Sequence, residues 1–480
     1  MKVLMLNPPF LPKYSRQSRS PCVTKGGTFY YPYFLAYATG VLENEGIEVK
    51  LADAVANGWG REETVAHAKA FNPQLIVVDT STPSIRNDVE VATLLKRELP
   101  NAHVTLVGTH PTALPEETLK TENIDSVCRG EYDHTVRDLA LALDSGKPLE
   151  RVEGLSFKGK NGIIHNEPRA LAKNLDELPW VSKVYAKQFG EKGIRKYFYA
   201  SLRWPQITIL TARGCPYSCS FCNSPFKHSY RARSAGDVIA ELKWIEENMP
   251  FVKEVMIEDE TFPAVKQRTL ELCKAISAAG IKLTWSCNAR VNTDPETLQA
   301  MRTAGCRLMC VGFESPEQSV LDNVGKRTTA DMQTEFMQNA GKAGLLVNGC
   351  WILGLPGDTK ESVKRTVEFA KKLNPDTAQF YSLYAYPGTA AWEWAEKNGH
   401  LTSREYSALL TPGGQHASNV STPGLSNEDA DMMCLKALKG FYLRPRYVAK
   451  KIRQSAVNPS EAKRTFMAAK TFFKIVASRS

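Results

Sequence analysis

Three thiols fall within eight residues, Cys215, Cys219 and Cys222, in the stretch Arg213-Gly214-Cys215-Pro216-Tyr217-Ser218-Cys219-Ser220-Phe221-Cys222. The spacing C-x3-C-x2-C lets one loop turn its sulfurs toward one face of a small metal centre. Structural zinc and closed iron–sulfur cubes usually take four ligands. Three thiolates leave one position open for a substrate or cofactor. The apolar run Ile207-Thr208-Ile209-Leu210-Thr211 stands just before the loop and reads as the strand that delivers it. The other eight of the 11 cysteines, Cys273 among them, mostly stand in apolar settings and read as small core residues.

With an aromatic residue, Phe221, before its third cysteine, this loop resembles the signature of radical S-adenosylmethionine (SAM) enzymes. The resemblance implies a [4Fe–4S] cluster on Cys215, Cys219 and Cys222. Its open iron would be chelated by SAM, which one electron cleaves to a 5′-deoxyadenosyl radical. An electron donor such as flavodoxin or ferredoxin is then an expected partner.

Such a loop needs a scaffold of strand ends. Residues 201–395 alternate strands and helices, and polar residues recur where apolar runs stop. One run ends in Glu258-Asp259-Glu260, the next in Asn288-Ala289-Arg290, and others in Gly312-Phe313-Glu314, Gly354-Leu355-Pro356-Gly357 and Tyr386-Pro387-Gly388-Thr389. With the cluster strand these make six strand–helix units, a partial (β/α)6 barrel with its chemistry at the carboxyl face. By resemblance, Glu258, Asp259 and Glu260 match the acidic motif that contacts the SAM amino and ribose groups, where acceptors are required. Arg290, beside Asn288, offers a guanidinium fork to the SAM carboxylate. Glu314 would accept from a ribose hydroxyl, and Gly354, Pro356 and Gly357 would let backbone approach the adenine. No catalytic residue is assigned; Tyr381, Tyr384 and Cys310 are the candidates within reach for a radical quencher.

Residues 1–145 also alternate, with strands read at 2–6, 48–52, 75–79, 104–107 and 124–128, those at 2–6, 75–79 and 104–107 being apolar runs. Unbroken apolar strands between helices predict an α/β, doubly wound parallel sheet, covered on both faces. Ligands of such sheets bind beyond the strands' carboxyl ends, here at Thr80-Ser81 and Gly108-Thr109-His110 among others. The stretches 108–117 and 129–131 resemble the strand ends of the cobalamin-binding domain that precedes the barrel in a large radical SAM subgroup. The D-x-H-x-x-G motif that supplies a cobalt ligand is absent, so His110 is expected to be a loop residue, not a ligand. Fold alone does not establish the ligand, and cobalamin stays open at this point. Residues 146–200 read as a connector with a hairpin at Asn161-Gly162.

The chain has 480 residues and a formal net charge of +10. Residues 396–480 read as a helical, basic extension. From Lys436 onward there are 12 Lys or Arg against one acid, Glu461, so the remainder is near neutral and no nucleic-acid surface is indicated. Phe441, Tyr442, Tyr447, Ile452, Phe466, Phe472, Phe473 and Ile475 interleave with these cations. They give either helices packed on the barrel or a peripheral contact with anionic lipid. No run of about 18 apolar residues is present, and cysteine usage suits a reducing compartment. A cytoplasmic location, at most peripheral to the membrane's inner face, is expected.

Further stretches, including Phe29-Tyr30-Tyr31-Pro32, Tyr230-Arg231-Ala232-Arg233-Ser234 and Trp285-Ser286-Cys287-Asn288-Ala289, resemble a hopanoid-biosynthesis radical SAM branch linked to the cyclitol-ether head group. That branch implies ring contraction of a lipid-linked amino-sugar. The first expectation is therefore hydrogen abstraction from an unactivated carbon of a small or lipid-linked substrate, followed by ring contraction. The alternatives are cobalamin-dependent C-methylation and a non-enzymatic iron–sulfur or cobalamin carrier.

Overall fold

The computed structural model describes residues 1–17, 19–224, 226, 228–457, 462 and 465. The first sheet contains β1 (Lys2–Asn7), β2 (Glu48–Asp53), β3 (Leu75–Thr80), β4 (His103–Gly108), β5 (Ser126–Cys128), β6 (Leu155–Gly159) and β7 (Gly162–His165), in the order β2-β1-β3-β4-β5-β6-β7. The first five strands are parallel, and β6 and β7 add antiparallel. Side chains alternate across a strand. Val3 and Met5 therefore enter one apolar cluster, and Leu4 and Leu6 another on the opposite face. Every residue of β3 is buried, which explains its unbroken apolar run. The hairpin that the sequence places in a connector instead completes this sheet: Phe157 on β6 pairs with Ser126 on β5.

A second, all-parallel sheet holds β8 (Gln206–Ile209), β11 (Glu254–Ile257), β12 (Trp285–Arg290), β13 (Cys306–Gly312), β14 (Leu346–Leu353) and β15 (Thr377–Ser382), in the order β15-β14-β13-β12-β11-β8. This is the expected six-unit partial barrel, unpaired between β15 and β8. A two-residue ribbon, β9 (Ala212–Arg213) against β10 (Arg231–Ala232), closes the base of the cysteine loop. One continuous core cluster joins the sheets: Met5, Tyr37 and Tyr185 belong to it together with Ile207, Val255 and Trp351.

The C-terminal extension is less helical than its composition suggests. Residues 398–426, rich in Ser and Gly, run irregularly apart from a short turn at Tyr406–Leu409. They reach the first domain, where Tyr406 donates to Glu117 and Arg86 pairs with Glu405. Helix Asn427–Tyr442 follows, capped by Ser426, and packs against β15. The last described helix is Pro445–Val457. Phe466, Phe472, Phe473 and Ile475 lie outside the described residues. No helix among the described residues is long and apolar enough to cross a membrane.

Candidate active site

The cysteine loop is fixed at both ends. Gly214 has φ +88°, and a Cβ there would lie 2.4 Å from the Ser229 carbonyl, so only glycine fits. Beyond it, His228 N–H donates to the Cys215 carbonyl at 2.8 Å. Farther along, Ser220 N–H donates to Val324 O and Ser220 O accepts from Ala391 N–H, both at 3.1 Å. All three thiols line one cavity of about 260 Å3 at the barrel's carboxyl face. Among the described residues no three His, Cys, Asp or Glu side chains converge on a single ion. A cube binds each thiolate through a different iron, so it suits sulfurs spread along a wall.

The three consecutive acids after β11 have separate tasks. Glu258 lines the cavity, and its buried Oε2 has no partner. Asp259 does not line it: its carboxylate accepts from Thr211 N–H and Oγ1 (2.6 Å each) and Ala212 N–H (3.0 Å). The Asp259 carboxylate, expected to contact SAM, is engaged in this structure as a strut under the cysteine loop. Glu260 accepts from Gly214 N–H at 3.1 Å and Ser224 Oγ at 3.0 Å, tying the loop's start to its end. Burial raises the carboxyls of all three above their ordinary range.

Asn288, Arg290 and Glu314 also reach the cavity. Arg290 donates to Cys219 Sγ at 3.3 Å and to the Lys326 carbonyl, and its guanidinium lies 3.9 Å from the Tyr217 ring centre. Its buried Nε has no partner. Glu314 pairs with Lys326 at 2.6 Å, a contact that competes with any ribose. Gly354 donates its N–H to Asp358, and the Pro356 carbonyl accepts from Asn323. Gly354, Pro356 and Gly357 do not line the cavity, because Asp358 curls this turn away from it. Tyr381, Tyr384 and Cys310 do line it.

A crevice opens beyond the first sheet's carboxyl ends, lined by Thr80, Gly108, Thr109, Gly130 and Glu131. Arg19, Asn223, Glu258 and Glu260 line both this crevice and the barrel cavity, so the two sites meet. Two residues of the expected strand ends, Ser81 and His110, do not line this crevice. Ser81 Oγ is bound to Tyr14 and Ser84. His110 sits 3.4 Å from Thr82 Oγ1, against the Tyr406 ring, and burial lowers its imidazole to about 4.

Profiles for the radical SAM superfamily and the B12 binding domain match residues 209–370 and 20–140. An uncharacterized methyltransferase of Pyrococcus horikoshii is 32% identical over 457 residues, covering 94% of this chain and 95% of the relative. The chain belongs to the cobalamin-binding radical SAM family. Its fold is shared with the radical SAM methyltransferase TsrM from Kitasatospora setae, solved with cobalamin and a [4Fe–4S] cluster (TM-score 0.70, 18% identity, 93% of this chain and 89% of that one). It is shared also with the cobalamin-dependent SAM radical enzyme OxsB, solved with aqua-cobalamin and SAM (TM-score 0.72, 16% identity, 97% and 71%).

This family member is therefore a SAM-using enzyme with a [4Fe–4S] cluster and cobalamin. The residues present fit these groups. The loop supplies three soft thiolates and no fourth, and the orphaned Glu258 Oε2 and Arg290 Nε match the ammonium and carboxylate of SAM. In the crevice, a Cβ on Gly108 would lie 2.1 Å from the Thr80 carbonyl, and the buried Thr80 Oγ1 lacks a partner. That bare, polar-edged cradle, with His110 turned away, suits cobalamin held without a protein histidine. Sequence reasoning missed Arg19, Tyr30, Tyr199 and Lys326 in the cavity wall. Arg19 and Tyr30 come from the irregular segment before the first helix, which carries no periodic signal.

Proposed function

We propose that the chain is a cobalamin-dependent radical SAM methyltransferase acting at an unactivated carbon. The observation that carries this reading is the shared wall of the crevice and the cavity. A methyl donor held at the first sheet would face the same space as SAM at the barrel. The methyltransferase relative supports the reading; ring contraction needs no such adjacency. When bound, the cluster with SAM supplies hydrogen abstraction and cobalamin supplies a methyl group. The protein's own residues hold and orient. Cys215, Cys219 and Cys222 ligate the cluster, Glu258 and Arg290 take the two ends of the SAM amino acid, and Glu260 keeps the loop closed.

The test is anaerobic incubation of the reconstituted protein with reductant and methyl-labelled SAM, with and without cobalamin. S-adenosylhomocysteine formed only with cobalamin is expected. With a hopanoid-enriched lipid extract added, 5′-deoxyadenosine and a product heavier by one labelled methyl are expected if its lipids are substrates. 5′-Deoxyadenosine with an isomeric product, independent of cobalamin, would replace methyl transfer by ring contraction. Cys215→Ala, Cys219→Ala and Cys222→Ala should each abolish SAM cleavage, whereas Cys273→Ala should not. Cleavage retained in all three loop variants would refute the site.

A further inference from the structure

The partial barrel is unpaired along β15, and an apolar space fills that side. Between β15 and the two C-terminal helices lies a cavity of about 490 Å3, within the roughly 300–1,000 Å3 of pockets that hold small organic ligands. Its helical wall is Leu438, Tyr442, Leu443, Tyr447, Val448 and Ile452. The backbone of the edge strand is screened from the space: Tyr442 Oη accepts from Ala378 N–H at 2.9 Å and donates to its carbonyl at 2.8 Å, and Lys25 Nζ donates to Phe380 O at 3.3 Å.

The two ends of this cavity differ. At its inner end, Asn348, Gln379 and Tyr381 line both it and the barrel cavity, so the spaces are continuous. Elsewhere on its wall, Leu443, Val448 and Ile452 are 53, 44 and 65% exposed. Scattered exposed hydrophobics are ordinary, but three bordering one cavity mark an apolar entrance. A ligand that fills such a space is polar where it meets the barrel and apolar along its length.

We propose that this side cavity is the chain site of an amphiphilic substrate. A long aliphatic or isoprenoid tail lies between β15 and the last helix, and its polar end passes Gln379 and Tyr381 into the barrel, where the reacting carbon is presented. The proposal rests on the reading of the barrel cavity as the catalytic space. Continuity with that space assigns the occupant as substrate, not as a partner protein.

Binding of n-butyl, n-hexyl, n-octyl and n-decyl glucosides to the full-chain holoenzyme, below their micellar concentrations, tests this by titration calorimetry. These probes are uncharged, so the cations of the last helix do not contribute to the trend. Affinity should rise on the order of tenfold per added pair of methylenes. Val448→Glu and Ile452→Glu should each weaken decyl glucoside at least tenfold, with unchanged cluster and cobalamin absorbance reporting an intact fold. Affinity independent of chain length, or variants that bind as the parent does, would overturn the proposal. Binding to phosphatidylglycerol vesicles with no response to the glucosides would overturn it in favour of a membrane-surface helix. The titration needs no turnover: loss of methyl transfer with the chain-length trend intact would refute the proposed reaction and leave the chain site standing.

Discussion

Glu131 follows the last parallel strand of the first sheet and reaches across to the cysteine loop. Its carboxylate accepts from Arg213 and Arg231 at 2.8 Å each and from Ala172 N–H at 2.9 Å, and its side chain is 4% exposed. The two arginines are paired across the β9–β10 ribbon that closes the loop's base. Glu131→Gln leaves both cations without this charge. Removing one partner of a buried pair costs roughly 3–5 kcal/mol. Arg213 keeps Asp133 at 2.7 Å and Arg231 keeps the Ala172 carbonyl at 2.7 Å, so the lower end, about 3 kcal/mol, applies. At roughly 2–4 °C per kcal/mol for a unit of barrel size, thermal unfolding should begin some 6–12 °C earlier. Iron and acid-labile sulfide content should fall with it, because the ribbon positions Cys215. Burial pushes Glu131 up, but the arginine charges bring it below its ordinary carboxylate value. Its contribution is therefore complete above the ordinary carboxyl pKa and is lost as pH falls through the lower folded value. The variant and parent should converge in acid. Equal Tm and equal cluster content at neutral pH would refute the reasoning.

Asp79, buried at the end of β3 and accepting from Gln17 at 2.8 Å, is raised by burial to about 7. The folded state then holds this proton more tightly than the unfolded chain. Stability falls as pH rises from about 4 to about 7, by on the order of 4 kcal/mol. Asp79→Asn should flatten the Tm profile across this window and be the more stable form at pH 8; parallel profiles would count against it. Gly108 has φ +118° and passes directly over the Thr80 carbonyl. Gly108→Ala should lower Tm, since such strain alone costs ~1–3 kcal/mol, and should weaken cobalamin binding measured by equilibrium dialysis. Unchanged affinity would mean that the crevice is not the cobalamin cradle.

The parallel sheets were legible because a strand buried on both faces must be apolar at every position, as β3 is. The cluster thiols were legible because their ligand set is contiguous. What the sequence could not show was the direction of side chains at strand ends. Ser81 and His110 occupy the expected strand ends, yet Ser81 Oγ is taken by Tyr14 and Ser84, and His110 turns its Nδ1 to Thr82, all within the first domain. The Gly354–Gly357 turn looked open, but Asp358, four residues after Gly354, binds its N–H groups and curls it away. Arg19 and Tyr30 had no local signal, because their placement depends on a segment that fits between two domains far apart in sequence.

The acids after β11 make the same point at the scale of one tripeptide. Composition alone presents Glu258, Asp259 and Glu260 as equivalent acceptors. Geometry sends Glu258 to the cavity, Asp259 beneath the loop's entry and Glu260 across its two ends. On the other side, Arg213 and Arg231 anchor the same loop to Glu131, which itself lines the crevice of the first domain. The cysteine loop is thus held by struts belonging to both cofactor regions. Any shift of the first domain that moved Glu131 would move the ribbon and Cys215 with it. The spacing between the crevice of the first domain and the cluster cavity of the barrel is in this way set by buried ion pairs, not by a flexible linker, which keeps two bound groups in fixed relation.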